Sequence, residues 1–171
     1  MPFGKRRGPP EGAENDLGLA GESPQIKEVR ELARTAAASG YSVLIQGETG
    51  VGKEVLARAI HRLSPRAKAP FVTQDCGAIP TELLEGELFG HEVGAYTGTT
   101  RSTKGRFRSA HNGILFLDEV GNLSLVHQAK LLRALETHSV RPLGADKSVK
   151  VPDPTSERNE GALWNGEDNG G

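Results

Sequence analysis

Lys53 and the pair Asp118-Glu119 are the residues whose types and setting could do chemistry. Lys53 closes the run Gly47-Glu48-Thr49-Gly50-Val51-Gly52-Lys53, and Glu54 follows it. Glycines let a backbone turn tightly and bring its N–H groups against phosphate oxygens. A lysine at the end of such a turn adds a mobile cation for the outer phosphates. Asp118 and Glu119 stand 65 residues further on, at the end of the apolar run Ile114-Leu115-Phe116-Leu117. A carboxylate there can hold Mg²⁺ through water, and a second can orient or deprotonate an attacking water. The first feature has a ligand-free strand–helix turn as its minor alternative, and the second, alone, reads as a solvated strand end. Coupled in one chain, they point to phosphoryl chemistry on a nucleotide.

These residues need elements to position them. Val43-Leu44-Ile45 predicts a buried strand over 42–46, and Val55 to Ile60 is apolar at helical spacing, so the glycine loop joins a strand to a helix running from Lys53 to about Leu63. The helix N-terminus places a partial positive charge at the same point. Upstream, Ser23 and Pro24 open a helix carrying Ile26, Val29, Leu32 and Ala33 and ending near Ser39-Gly40. Downstream, 71–74 predicts a second strand with Asp75 and Cys76 at its end. Thr81 is expected to cap a short helix with Leu83, Leu84 and Leu88 inward, and 105–110 a short helix with Phe107 inward. Residues 114–119 predict a third strand, apolar on both faces as a central parallel strand is. A helix over 125–136 is expected to bury Leu125, Ala129, Leu132 and Leu135. This order is an α/β pattern with a parallel sheet, in which ligands sit at the carboxyl ends of the strands.

Two stretches break the periodicity. Gly90 to Thr103, GHEVGAYTGTTRST, holds neither a period of 2 nor of 3.6 and reads as a long loop or two-stranded excursion. Ser139 to Val151 reads as a hairpin turning at Gly144-Ala145-Asp146. Glycine (22) and proline (10) make up about a fifth of the 171 residues, an excess that goes with loops and disordered ends. Residues 1–16 are expected to form a disordered leader and 152–171 a disordered tail, the latter carrying five acids against Arg158. The net charge of −1 gives no bulk attraction to nucleic acid or membranes, no basic reading helix suggests direct DNA binding, and the five histidines lack metal-site spacing. A lone Cys76 excludes a disulfide within the chain and, with no secretory signal or membrane-length apolar run, points to a cytoplasmic protein.

GETGVGKE, ELFGHEVGAYTGT, GRFRSAHNGILFLDEVGNL and QAKLLRALE occur in one order and spacing. Together they closely resemble the AAA+ ATPase domain of sigma-54-dependent transcriptional activators, the bacterial enhancer-binding proteins, from about Gly21 to Val151. The resemblance implies a P-loop NTPase fold, a three-layer α-β-α core with a parallel sheet. It implies that Gly47, Glu48, Thr49, Gly50, Val51, Gly52, Lys53 and Glu54 form a Walker A motif that binds ATP, and that GKE is the family's usual form. Asp118 would hold Mg²⁺ and Glu119 would activate water in a Walker B motif. Gly94, Ala95, Tyr96, Thr97, Gly98 and Thr99 match the GAFTGA loop, which touches sigma-54 in the RNA polymerase holoenzyme when a hexameric ring hydrolyses ATP. The hairpin over 139–151 would support that loop. Four positions depart from the family pattern: Tyr96 for Phe, Thr99 for Ala, Asp75 for the Asn that restrains the catalytic glutamate, and Asn122 for Asp.

Past Val151 the family continues with a sensor strand between the first and third strands, then arginine fingers and a helical lid. Residues 152–171 match none of these, so the chain is expected to be a C-terminally truncated module with an incomplete sheet and hydrolysis near background. The alternative is a non-enzymatic fragment that binds sigma-54 or intact relatives, or one that folds poorly.

Overall fold

The computed structural model describes residues 17–151 and 161–166. The leader expected over 1–16 lies outside them, as do 152–160 and 167–171 of the expected tail.

Ser23 opens α1 (Pro24–Ser39): its hydroxyl accepts from Ile26 N, proline takes the first turn, and Gly40 ends the helix at φ 70°. After β1 (Val43–Gln46) the chain turns through the glycine loop into α2 (Lys53–Leu63), with Gly52 at its start in the left-handed region. β2 (Phe71–Asp75) leads to α3 (Thr81–Phe89), α4 (Gly105–Ser109) and β3 (Ile114–Asp118). A single 3₁₀ turn over Val120–Asn122 precedes α5 (Leu125–Thr137), which Ser124 caps, and the hairpin of β4 (Ser139–Val140) and β5 (Val149–Lys150) follows. The last element is β6 (Gly161–Gly166).

The sheet is parallel, in the order β1-β6-β3-β2. Helices α1 and α2 cover one face through Ala33, Ala37, Ala57 and Ile60, which meet Ile45, Ile114 and Phe116. Leu115 and Leu117 turn to the other face, where Leu84 and Leu88 of α3, Phe107 of α4 and Leu131 and Ala134 of α5 pack. Alternate residues of β3 thus feed two cores, which is why the strand is apolar throughout. The result is the expected three-layer α/β core. No helix among the described residues is long and apolar enough to cross a membrane.

Several expectations need correction. Residues 161–166 form a strand, β6, in the place between β1 and β3 that was expected to stand unpaired. Val43 to Gln46 pair with 163–166 on one side, and Ile114 to Leu117 with 161–164 on the other. Two facing parallel edges offer backbone donors and acceptors to any extended segment, so position rather than local periodicity selects it. On α5, Leu125 and Leu132 are exposed, at 82% and 52%, and Ala129 with them; the core receives Leu131 and Ala134, with Leu135 half-buried. On α3, Leu83 is exposed and Phe89 takes a place beside Leu84 and Leu88. Thr81 is the first helical residue rather than the cap, a position held by Pro80 with no side-chain bond. Glu119 lies beyond β3, in the left-handed region at φ 54°.

Candidate functional site

The parallel register brings two loops together. β1 and β3 share β6 as neighbour, so the turn after Gln46 and the acids after Leu117 emerge at the same end of the sheet. Thr49, Gly50, Gly52, Lys53, Glu54, Asp118 and Glu119 line one cavity of about 200 Å³ there.

The glycine loop is shaped by backbone. Gly50 and Gly52 sit at φ 82° and 95°, where a side chain would be strained, and around Gly50 there is open space rather than packing. Val51 N donates to Glu48 O at 3.4 Å and Leu56 N to Gly52 O at 3.0 Å, so the turn runs directly into the first turn of α2. Lys53 is buried, and its Nζ reaches back to donate to Gly47 O at 2.8 Å and Glu48 O at 3.1 Å. Gly47 and Glu48 therefore serve the site through carbonyls that seat the lysine, while the Val51 side chain is exposed. The Glu54 carboxylate is drawn off by Arg58, whose Nε and Nη2 donate to Oε1 at 2.9 and 2.6 Å. That guanidinium also lies over the Phe71 ring, 4.7 Å from its centre.

On the facing wall, Asp118 Oδ1 accepts from Glu119 N at 2.9 Å. The 3₁₀ turn then folds back: Asn122 N donates to Glu119 O at 3.0 Å, and Asn122 Nδ2 donates to Glu119 Oε2 at 3.0 Å. Asp75 lies beside Asp118 in the β2/β3 register, but its Oδ1 accepts from Gly77 N at 2.9 Å and Ala78 N at 3.1 Å, closing a turn of its own. Burial, then Asp75, Asp118 and Glu119 in turn, push the Cys76 thiol up to about 12. Three carboxylates thus act on one buried thiol, which stays protonated. The donor set fits a nucleotide phosphate group with a divalent cation: a cation and free-standing backbone turn on one wall, carboxylates on the other.

The Gly94–Thr99 segment is built into a separate feature. Its neck is a backbone contact: Gly105 lies so close to Gly90 that a Cβ would meet Gly90 N at 2.3 Å, and His91 and Thr103 exchange two backbone bonds of 3.1 and 2.9 Å. The hairpin braces it, since Leu143 N donates to Gly90 O and Glu92 N to Leu143 O, both at 2.9 Å. At the tip, Gly94 N donates to Thr99 O, Tyr96 N donates to the Thr99 hydroxyl at 3.1 Å, and that hydroxyl donates to Tyr96 O. The Tyr96 ring stands edge-on to His91, 5.2 Å between centres.

Sequence reasoning missed three contributors. Gly77 leaves room for Glu119, Asn122 holds its carboxylate, and His91 carries Tyr96. An Asn three residues after an acid at a strand end is a turn signal that could have drawn attention to the second; nothing local marks the other two.

Residues 19–153 match the family model described as the Sigma-54 interaction domain. A Nif-specific regulatory protein of Azorhizobium caulinodans is 48% identical over 135 residues, which are 79% of this chain and 22% of that protein. The transcriptional regulatory protein GlrR of Escherichia coli K12 is 48% identical over 129 residues, 75% of this chain and 29% of the relative. The chain thus spans about a quarter of the length of the curated relatives it matches. Among solved structures, NtrX from Brucella abortus in complex with ATP superposes with a TM-score of 0.74 at 34% identity, over 88% of this chain and 32% of that one. The same protein in complex with ADP gives 0.72 at 34% identity, over 90% and 31%.

Proposed function

Because the chain belongs to the Sigma-54 interaction domain family, an AAA+ module of transcription activators, we propose that it binds ATP and couples ATP binding and hydrolysis to remodelling of sigma-54 RNA polymerase. The observation that carries this reading is the single cavity in which Gly50, Gly52 and Lys53 face Asp118 and Glu119. The solved relative in complex with ATP supports it.

In this reading the N–H groups of Gly50 to Lys53 and the Lys53 ammonium hold the phosphates. Asp118 would hold Mg²⁺, which would neutralise charge on the phosphates. The bound nucleotide supplies a phosphoanhydride bond to be cleaved. Glu119 orients the attacking water and accepts its proton on the carboxylate. Glu54, engaged by Arg58, keeps a charge in the first turn of α2 without entering the metal's coordination. Gly94 to Thr99 contact sigma-54 within the holoenzyme, with the neck and hairpin transmitting force to the tip. The working unit is a homo-oligomeric ring in the cytoplasm, and the module comprises residues 17–151 together with the β6 strand that completes its sheet.

Binding of a fluorescent ATP analogue to the wild type and to Lys53→Ala tests the nucleotide site. Loss of one charge-assisted contact, about 1.5–3 kcal/mol, predicts affinity weaker by roughly tenfold or more. Equal affinity would remove the ATP site. Capture of sigma-54 by the wild type but not by Thr97→Ala tests the loop.

A further inference from the structure

Glu119 is held by one residue twice. Asn122 closes the 3₁₀ turn by donating its backbone N–H to Glu119 O, and its side-chain Nδ2 donates to Glu119 Oε2, each at 3.0 Å. On the opposite side the carboxylate rests on Gly77, where a Cβ would fall 2.0 Å from Oε2. Asp75 also lies beside Gly77, its Oδ1 3.4 Å from where that Cβ would fall, but this oxygen accepts from Gly77 N and Ala78 N. Being a carboxylate, it would in any case repel Glu119. An amide donor on one side and a bare Cα on the other leave Glu119 one place to lie.

We propose that Asn122 is the positioning residue for Glu119, fixing its carboxylate against Gly77 at the wall of the nucleotide cavity, and that Asp75 has no such part. The proposal rests on the reading of Glu119 as the water-activating group. Removing the amide donor frees the side-chain torsions of Glu119, and a misplaced base loses rate while nucleotide contacts made by Lys53 and the glycine loop persist. Asp75→Asn keeps an oxygen to accept from Gly77 N and Ala78 N, so it leaves Glu119 where it is.

The test uses the whole 171-residue chain with two readouts. In ¹H–¹⁵N spectra, the Asn122 side-chain amide pair, identified by its loss in Asn122→Leu, is expected to be widely split in the wild type. The splitting collapses in Glu119→Ala and in Gly77→Ala, which displaces the carboxylate with Asn122 intact, and survives in Asp75→Asn. In ATP turnover, Asn122→Leu is expected to lower kcat by roughly tenfold to a hundredfold with KM unchanged. An amide pair indifferent to Glu119→Ala, or one that collapses in Asp75→Asn, overturns the clamp. A kcat equal to wild type in Asn122→Leu overturns its catalytic role. Wild-type turnover no higher than that of Glu119→Gln defeats the hydrolysis reading itself, and the amide pair still decides whether the clamp exists.

Discussion

Two glycine-bearing loops do opposite things in this chain. Around Gly50 a side chain would meet nothing within 4 Å, whereas at Gly105 it would strike the backbone of Gly90 at 2.3 Å. Both residues have positive φ, 82° and 75°. The first loop stands open at Gly50 beside the cavity, whereas the second is closed at its neck by Gly90 and Gly105, where two backbone segments touch, and opens again only at its tip, around Gly94 and Gly98. Glycine content alone says that a loop is unusual; what surrounds the missing Cβ separates a joint, as at Gly105, from open backbone, which at Gly50 borders the cavity facing Asp118 and Glu119.

Substitutions can break this contrast. Gly105→Ala is expected to have the largest effect, about 3 kcal/mol or more of stability: left-handed strain of about 1–2 kcal/mol plus displacement of packed backbone. Urea denaturation measures it, and a midpoint like that of the wild type would mean the neck is not a rigid joint. Gly50→Ala carries only the strain, about 1–2 kcal/mol in the same experiment, but weakens the fluorescent ATP analogue because its methyl enters the open space. Unchanged binding there would show that the space is not a phosphate seat. Thr99→Ala is expected to cost least, about 1 kcal/mol or below, since its hydroxyl bonds are exposed. Its effect appears as faster amide hydrogen exchange at Tyr96, without change in nucleotide binding.

How legible these regions were follows from the range of the forces involved. The phosphate loop and the ends of α1 announce themselves because caps and glycines act within a few residues, but the stripe expected on α1 is only partly right: Leu32 is exposed, and Arg30 and Ala37 are buried with Ala33. β3 does so because both its faces are buried. α5 misleads because it carries two apolar stripes, Leu125-Ala129-Leu132 and Leu131-Ala134-Leu135, and both satisfy a helical period. The choice depends on the entry to the helix, where Ser124 caps it and Gln128 Nε2 donates to Leu123 O at 2.9 Å. β6 is silent in sequence because its register comes from β1 and β3, over 40 residues away from either. Asn122 stands out in sequence as a departure from the family pattern, but its hold on Glu119 does not, because that reach needs the left-handed backbone that only the folded turn supplies.

The strand order carries a consequence for the chronology of folding. β1, which leads into the phosphate loop, and β3, which leads into the acids, are bridged by β6, which follows both in the chain by more than 40 residues. A ribosome adding about 5–20 residues per second exposes both walls of the cavity seconds before the strand that joins them. Until then α2, packed on Ile114 and Phe116, is the main tie between them. The nascent protein can form each half early, and the two walls of the nucleotide pocket are joined once β6 has been made.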